Sequence, residues 1–316
     1  MKPSPDTCAG EFAHAVQAAL AETPHRISPK WFYDAEGSRL FDAICELPEY
    51  YPTRTELALL DRHGPDIARR IGPGAEIVEF GAGSLRKVRL LLDALQRPAG
   101  LLPVDISAEH LWASSAQLRR DRPGLAVTPL AADFTRADLA LPPARGPRVG
   151  FFPGSSIGNF EPGEALALLS RWAHGLDGGL LIGVDLVKEP ELLHAAYNDA
   201  QGVTARFNRN LLARANAELG ADFELARWAH SAFYQPALQR IEMHLVSRCD
   251  QVVRLCGRAL PVAEGESLHT ESSYKYTVAG FQRLAARAGF RPEAVWVDGR
   301  RWFSLHWLAP AAPPAL

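Results

Sequence analysis

The chain has 316 residues, of which 47% are hydrophobic, and its formal net charge is −2. That hydrophobic content suits one large domain or two smaller domains with their own cores. The charge offers no basic surface for nucleic acid, and no apolar run approaches the roughly 18 residues that a membrane-spanning helix needs. We therefore expect no nucleic-acid partner and no membrane partner.

The N-terminus and the cysteines favour a cytoplasmic protein. The first residues contain no apolar signal core. The four cysteines, Cys8, Cys45, Cys249 and Cys256, form no C-x-x-C pair. We expect free thiols in a reducing cytoplasm, and we predict no metal site.

The first 55 residues combine a short helix, predicted over residues 10–22, with tyrosines on loops stiffened by proline. Tyr33 lies in an aromatic cluster, and Tyr50 and Tyr51 lie between two prolines. Because proline restricts the residue before it to extended geometry, we expect both of these tyrosines on a rigid loop, with Thr55 capping a helix over 56–71. Tyrosines in this arrangement either pack in a core or line a binding site.

Residues 76–91 predict a strand, a glycine turn and a helix, which is the opening of a doubly wound α/β sheet. Gly81 and Gly83 lack Cβ, so the turn can be tight and a ligand can lie against the backbone. A dinucleotide fingerprint needs a small residue where Arg86 stands, which disfavours NAD and FAD. Glu79 before the glycines fits S-adenosylmethionine (SAM) better, and a turn without any ligand is the alternative.

Three further side chains follow the next predicted strands. Asp105 ends the second strand a little over 20 residues beyond the glycines, where an acid meets ribose hydroxyls in this architecture. Asp133 and Phe134 follow a third strand, predicted over 125–130, and suit the amino group and the ring of adenine. The alternatives are a helix cap for Asp105 and an ordinary loop acid beside a core ring for the other two.

A small, polar loop over residues 153–162 follows the bulky fourth strand at 148–152. It leaves the sheet edge where a methyl acceptor is expected to dock. Asn159 offers both a donor and an acceptor, which suits an amino acid head group. A turn-forming asparagine is the plain alternative.

The pattern changes after a fifth strand at 179–186. Helices are predicted over 191–218 with a break near Gly202, followed by antiparallel strands over 222–256 and an extended segment at 270–276. The two-residue period of a strand places Glu271 and Ser273 on one face of that segment. A final helix and two strands from residue 278 onward complete the sheet, so residues 188–276 form an insertion.

Together these segments resemble the histidine-specific Nα-methyltransferases of ergothioneine biosynthesis over nearly the whole chain. The resemblance is carried by the following stretches: WFYD at 31–34, LPEYYPTR at 47–54, SIGN at 156–159, DLVK at 185–188 and AQGVTARFN at 200–208. It implies a SAM-dependent enzyme that trimethylates the α-amine of L-histidine to hercynine, with S-adenosylhomocysteine as the second product. We expect it to act as a monomer.

The resemblance also implies a fold and a site. The fold is a Rossmann-like class I methyltransferase sheet, formed by residues 56–187 and 277–316, with an α+β substrate-binding domain formed by 1–55 and 188–276. The implied SAM-binding residues are Gly81, Gly83, Lys87, Asp105, Asp133 and Phe134. The implied substrate-binding residues are Tyr33, Tyr50, Gly154, Asn159, Tyr197, Met243, Glu271 and Ser273, of which Tyr33 and Asn159 also serve catalysis.

The sequence departs from the family pattern at Ala82, Arg86 and Tyr274. The first two should not matter for a cofactor held by backbone, whereas Tyr274 stands where a small residue is usual and can reshape the ring pocket. The same fold acting on a prenylated tryptophan is a second interpretation, which the polar pair Glu271 and Ser273 disfavours. A SAM-binding protein without catalysis and an NAD-dependent oxidoreductase are the other two.

Overall fold

A computed structural model describes residues 10–310 of the chain. The chain divides into two compact units. One combines the chain up to Tyr50 with Glu189–Ser273, and the other combines Tyr51–Lys188 with the chain from Tyr274 onward. The chain therefore crosses between units after Tyr50, after Lys188 and after Ser273.

The helices and strands alternate in the manner of an α/β protein interrupted by an insertion. In chain order they are α1 Glu11–Ala21, α2 Ala35–Cys45, α3 Tyr51–Ile71, β1 Glu76–Phe80, α4 Arg86–Ala94, β2 Gly100–Asp105, α5 Ala108–Asp121, β3 Leu130–Ala131, β4 Arg148–Phe152, α6 Pro162–Gly175, β5 Gly179–Asp185, α7 Pro190–Tyr197, α8 Val203–Leu219, β6 Trp228–Gln235, β7 Arg240–Ser247, β8 Gln251–Leu255, β9 Arg258–Val262, β10 Ser267–Tyr274, α9 Val278–Arg287, β11 Phe290–Val297 and β12 Phe303–Pro310.

The unit that runs from Tyr51 is built on a seven-stranded sheet in the order β11-β12-β5-β4-β1-β2-β3, and we call it the seven-stranded unit. Strands β1 to β5 pair in parallel, whereas β12 runs antiparallel to β5 and to β11. Every residue of β1 and of β5 is buried, as expected for parallel strands that are covered on both faces. The predicted class I methyltransferase sheet is thereby confirmed.

Two core clusters cover the two faces of this sheet. One contains Leu60 of α3 and Leu91 of α4 packed on Ile77 of β1. The other contains Trp172 of α6 and Phe281 of α9, together with the strand residues whose side chains point to the opposite face of the sheet. With the helices holding both faces, the carboxyl ends of the parallel strands are the edge where ligands bind in such sheets.

The third strand is shorter than predicted. β3 contains only Leu130 and Ala131, although an isolated bridge also joins Val127 to Leu101. The N–H of Thr128 donates to the carbonyl of Leu101 over 2.9 Å, but the next residue is Pro129. Because proline has no N–H to donate, the ladder is interrupted at that residue.

Helix α3 begins four residues earlier than Thr55, so the predicted cap at Thr55 and the predicted loop position of Tyr51 are wrong. Thr55 lies inside the helix, where its Oγ1 donates to the carbonyl of Tyr51 over 2.8 Å. Pro52 stands in the first turn, where its missing N–H has no helical partner in any case and its fixed φ favours the helix. The proline therefore starts the helix instead of preceding it.

The other unit contains α1, α2, α7, α8 and the sheet β10-β7-β6, and we call it the three-stranded unit. Strands β6 and β7 are antiparallel, and β8 and β9 form a separate hairpin. Along β7, buried Ile241, Met243 and Leu245 alternate with the partly exposed Glu242 and His244. The strand therefore has one face in the core and one face that is partly solvated.

The cysteine prediction is only partly correct. Cys45 and Cys249 are free thiols. Cys256 is disulfide-bonded, so the prediction of a free thiol is wrong for this residue. Cys8 lies outside the described residues. Across residues 10–310 no helix has both the length and the apolar character that a membrane crossing requires.

Candidate active site

The glycine turn between β1 and α4 has the geometry that an open ligand site needs. Gly81 and Gly83 have φ values of +68° and +49°, which a side chain would disfavour. A Cβ on Gly83 would meet nothing within 4 Å, whereas one on Gly81 would lie 3.6 Å from the ring of Phe134. The backbone at Gly83 is therefore accessible from the side on which a side chain would stand.

Asp105 at the end of β2 binds the glycine turn directly. One carboxylate oxygen accepts the N–H of Gly83 over 3.0 Å, and the other accepts the N–H of Ser107 over 2.8 Å. The side chain thus binds the residue before α5, as the alternative of a helix cap predicts, and it also holds the glycine turn. Each oxygen keeps a second lone pair that can accept from a ribose hydroxyl.

Asp133 and Phe134 follow β3 at the same end of the sheet. The Oδ1 atom of Asp133 accepts from the backbone N–H and the hydroxyl of Thr135, over 2.9 and 2.5 Å, which makes a local turn. The ring of Phe134 packs edge-on against Phe152, with centroids 5.5 Å apart. Asp133 therefore has a structural role in addition to the adenine contact that we predicted for it.

Glu79, the acid before the glycines, is 1% exposed. Burial raises the pKa of its carboxyl group well above the usual value, and Lys87 opposes that rise. Its Oε2 atom has no hydrogen-bond partner among the described residues. A buried carboxyl group whose protonated form is favoured by burial thus lies directly before the turn.

Glu56 of α3 is a further candidate site residue, which the sequence analysis does not name. Its fully buried carboxylate accepts the N–H of Gly154 over 2.8 and 3.1 Å and pairs with Lys87 over 2.8 Å. Gly183 makes room for it, because a Cβ there would lie 2.0 Å from Oε1. The signal was present in the sequence, since Glu56 occupies a position on the apolar face of α3, in register with Leu60 and Ile67.

Gly154 and Asn159 lie in the loop after β4. Gly154 and Ser155 both have positive φ values, +78° and +56°, and a 3₁₀ helix follows over Ser156–Asn159. A Cβ on Gly158 would lie 2.7 Å from the carbonyl oxygen of Tyr274, so the helix lies directly against that backbone. Asn159, at the end of this short helix, is half-buried.

The tyrosines of the three-stranded unit form one aromatic group. Tyr33 packs edge-on against Phe41 and Phe207, with centroids 5.7 and 5.8 Å apart. Tyr50 meets the same Phe41 at 6.3 Å and Tyr197 at 6.4 Å. Burial raises the pKa of Tyr50 well above its usual value, and the neighbouring Tyr197, Cys45, Glu271 and Tyr33 raise it further. These contacts bring Tyr33, Tyr50, Tyr197 and Glu271 into one neighbourhood.

Glu271 and Ser273 lie on β10 beside this group. Their exposed fractions are 9% and 4%. The hydroxyl of Tyr197 donates to Oγ of Ser273 over 2.8 Å. Met243, on the neighbouring strand β7, is 1% exposed, and its carbonyl accepts from Thr270 over 3.1 Å. Tyr197, Glu271 and Ser273 are thus buried, whereas Tyr33 and Tyr50 of the same aromatic group are half-buried.

Among residues 10–310, one group of side chains has ligand atoms close enough together for a metal ion: Glu242, His244 and His269, within 4.8 Å. The Arg240 guanidinium already occupies Oε1 of Glu242, over 2.6 and 2.8 Å. His244 contacts Oε2 of the same carboxylate over 3.2 Å. Because a cation already neutralises the carboxylate, we interpret the group as an ion-pair network, and the absence of a metal site stays a prediction.

A family model described as a SAM-dependent, histidine-specific methyltransferase matches residues 12–310. The chain belongs to this family. The resemblance inferred from the motifs and the prediction of a SAM-dependent methyltransferase are both confirmed at that level.

Individual relatives agree with the family assignment. The chain is 42% identical over 308 residues to a histidine N-alpha-methyltransferase of Mycolicibacterium smegmatis, which covers 95% of each chain. It is 39% identical over 297 residues to one of Mycobacterium tuberculosis, covering 92% of each. A 4-dimethylallyltryptophan N-methyltransferase of Claviceps purpurea is 28% identical over 308 residues, covering 88% of this chain and 89% of its own length.

Several family motifs hold the aromatic group in place. In WFYD, the Asp34 carboxylate accepts from Gly37 over 2.7 Å and from Asn210 over 2.8 Å. In AQGVTARFN, the fully buried Asn208 donates to the carbonyl of His244 over 3.0 Å and accepts from Thr270 over 2.7 Å. These motifs therefore tie the tyrosine-bearing segments and β10 to helix α8.

The contacts of Tyr274 explain the departure from the family pattern. Its hydroxyl donates to Oε2 of Glu161 over 2.5 Å, within the seven-stranded unit. Successive residues of a strand point to opposite faces, so Tyr274 points away from the face that carries Ser273. The large side chain is therefore accommodated by Glu161 on the face opposite Ser273.

Proposed function

We propose that this methyltransferase transfers three methyl groups from SAM to the α-amine of L-histidine and releases hercynine. The observation that carries the proposal is the buried set of Tyr197, Ser273 and Glu271 beside Tyr33 and Tyr50. The buried carboxylate of Glu271 fits an imidazole N–H, and the buried hydroxyl of Ser273 fits the second ring nitrogen. The tyrosine rings fit the amine as it becomes a quaternary ammonium. The histidine N-alpha-methyltransferases among its relatives support the same acceptor.

The residues of the seven-stranded unit fit SAM. The open backbone at Gly83 has room for a ligand, and Asp105 keeps lone pairs for the ribose hydroxyls. We propose that Gly81, Lys87, Asp133 and Phe134 complete this set, and that Tyr51–Lys188 with the chain from Tyr274 onward is the SAM-binding domain. The three-stranded unit is then the substrate-binding domain.

The acceptor residues follow from the chemistry of the amine. When bound, SAM supplies an electrophilic methyl group on a sulfonium. An ammonium has no lone pair, so the amine must first lose a proton, and we assign that proton to water. Asn159 and Tyr33 orient the free amine, Gly154 leaves room for the amino acid backbone, and Tyr50 and Met243 exclude water around the substrate.

The product requires a different kind of contact from the substrate. A quaternary ammonium cannot donate hydrogen bonds, but the face of an aromatic ring attracts it. We propose that the ring of Tyr33, held edge-on by Phe41 and Phe207, takes this role. The same ring can therefore contact the cationic nitrogen as its N–H groups are replaced by methyl groups.

The test is a methylation assay with SAM and each of the twenty amino acids, followed by mass spectrometry for added methyl groups. We expect up to three methyl groups on histidine alone. A second arm contains 4-dimethylallyltryptophan, because one relative is named for that acceptor. Methylation of the prenylated tryptophan in place of histidine would overturn the proposed acceptor while leaving the reaction type intact.

A further inference from the structure

Asp185, in the family motif DLVK, is the centre of a buried cluster that the proposed reaction does not use. The residue ends β5 and is 1% exposed. Its carboxylate accepts from the Tyr51 hydroxyl over 2.7 and 2.9 Å, from Lys188 over 2.5 Å and from Lys275 over 2.9 Å. All four residues belong to the seven-stranded unit.

The three partners of Asp185 are at the three places where the chain enters or leaves this unit. Tyr51 is the first residue after the crossing at Tyr50, and Lys188 is the last residue before the second crossing. Lys275 is the second residue after the third crossing. One buried carboxylate thus binds every chain segment that connects the two units.

The residues that bond to Asp185 are also close in sequence to proposed acceptor-binding residues. Tyr51 directly follows Tyr50, and Lys275 stands two residues after Ser273. The backbone N–H of Asp185 donates to Oγ of Ser155 over 2.9 Å, and Ser155 follows Gly154. Its carbonyl accepts the N–H of Tyr276 over 3.0 Å, which adds a second bond to the segment after β10.

The charge of this cluster costs stability. Two buried ammonium groups on one carboxylate leave a net positive charge, and burial lowers the pKa of Lys188 to about 8. Apolar side chains of similar size often replace buried ion clusters without loss of stability. What the ionic cluster adds over an apolar core is directional bonding to several segments at once.

We propose that Asp185 is a positioning residue for the amino acid acceptor, fixing through Tyr51, Lys275 and Ser155 the segments that carry Tyr50, Ser273 and Gly154. The inference rests on the proposed function, because it takes these residues as acceptor contacts. In this proposal Asp185 acts through these segments and not by contact with either substrate. Its loss should therefore affect the acceptor far more than SAM, whose proposed contacts lie on other segments.

The decisive variant keeps the buried charge unchanged. Asp185→Asn alone adds one net positive charge to the core and can prevent folding. Asp185→Asn combined with Lys275→Met removes one charge of each sign and leaves the net charge of the cluster as in the wild type. Tyr51→Phe is a milder variant, which keeps the ring against Trp302, 5.4 Å away, and loses only the hydroxyl.

The control is Glu76→Gln. Glu76 is 4% exposed and pairs with Arg148 over 2.9 Å in the same unit, but it begins β1 at the amino end of the sheet. This variant measures the effect of losing a buried ion pair that is not connected to the acceptor segments. Circular dichroism verifies the fold of every variant, calorimetry gives the Kd of SAM, and steady-state assays give kcat and KM for histidine.

We expect the charge-balanced double variant to raise KM for histidine at least about tenfold, with smaller changes in kcat and in the Kd of SAM. Tyr51→Phe should raise the same KM by less, and Glu76→Gln should leave it unchanged. A folded double variant with the wild-type KM, or one that loses SAM affinity equally, overturns the positioning role alone. A wild-type protein that does not methylate histidine overturns the proposed function, and this inference with it.

Discussion

The Tyr197 hydroxyl and the Ser273 hydroxyl share a 2.8 Å hydrogen bond in which tyrosine donates. Both residues are less than one-tenth exposed, at 8% and 4%. Because the serine oxygen accepts from tyrosine, the bond restricts the orientation of the Ser273 hydroxyl. The bond therefore determines what Ser273 can offer a ligand.

Replacing Tyr197 by phenylalanine tests that relationship. Without the tyrosine proton, the Ser273 hydroxyl can turn, and we expect histidine binding to weaken by about 1 kcal/mol. Calorimetric titration of Tyr197→Phe, Ser273→Ala and the double variant measures the coupling. If the pair acts as a unit, the two losses do not add, so strictly additive losses would show that the two hydroxyls bind histidine independently.

Glu271 should contribute more than the hydroxyl pair, because a hydrogen bond to a charged group is stronger than one between neutral groups. We expect Glu271→Ala to weaken histidine binding by about 1.5–3 kcal/mol, the usual contribution of such a bond. The matched control is Glu224→Ala, which removes an exposed acid that pairs with Arg227 in the same unit. An unchanged histidine affinity in Glu271→Ala removes Glu271 from the site.

The parts of the fold that could be predicted from the sequence are those dictated by local pattern. The apolar run of β1 and the glycines after it specify a strand and a turn whatever packs around them. Pro52 and Pro129 were harder to interpret, since the same residue starts a helix at one position and interrupts a strand at the other. The effect of each proline depends on whether the fold places a backbone carbonyl where the missing N–H would have donated.

The buried charged residues that the sequence analysis does not single out are those whose role depends on partners distant in the chain. In the sequence, Glu56 is one acid on an amphipathic helix. Its role follows from its contacts with Gly154 and Lys87, which are distant in the chain. Asp185 likewise reads as the end of a strand until Lys275 is brought to it. A buried charge is stable only with such partners, and no periodicity in the sequence records them.

Asp105→Asn tests the proposed SAM contacts. The substitution keeps the shape of the side chain but replaces one carboxylate oxygen by an NH2 group, which cannot accept a hydrogen bond from Gly83, Ser107 or a ribose hydroxyl. We expect SAM binding to weaken about tenfold, as for loss of a bond to a charged group. Asp121→Asn, on an exposed acid that pairs with Arg89, is the control. Equal SAM affinity in both variants would exclude Asp105 from the cofactor site.

Gly183→Ala tests the space around Glu56. A Cβ at this position would lie 2.0 Å from the Glu56 carboxylate and 3.0 Å from the ring of Phe303. Because Glu56 must then move away from Gly154 and Lys87, we expect a loss of about 1–3 kcal/mol in the free energy of urea unfolding. Gly163→Ala is the control, since a Cβ there meets nothing within 4 Å in a helix. Equal stability of the two variants would contradict the described packing.

His306 should make the protein sensitive to mild acid. Burial lowers the pKa of this fully buried histidine to about 4 from a usual value of 6.5. Between those values the unfolded chain binds a proton that the folded protein excludes, so stability falls as the pH falls, by about 1.4 kcal/mol per pH unit for one such group. His306→Gln removes the titrating ring and can keep the bond to Ser304, which spans 2.9 Å. Urea unfolding at several pH values from about 7 to about 5 should therefore show a shallower decline in the variant. Because all other titrating groups are shared, parallel declines in the two proteins would show that His306 is not the residue responsible.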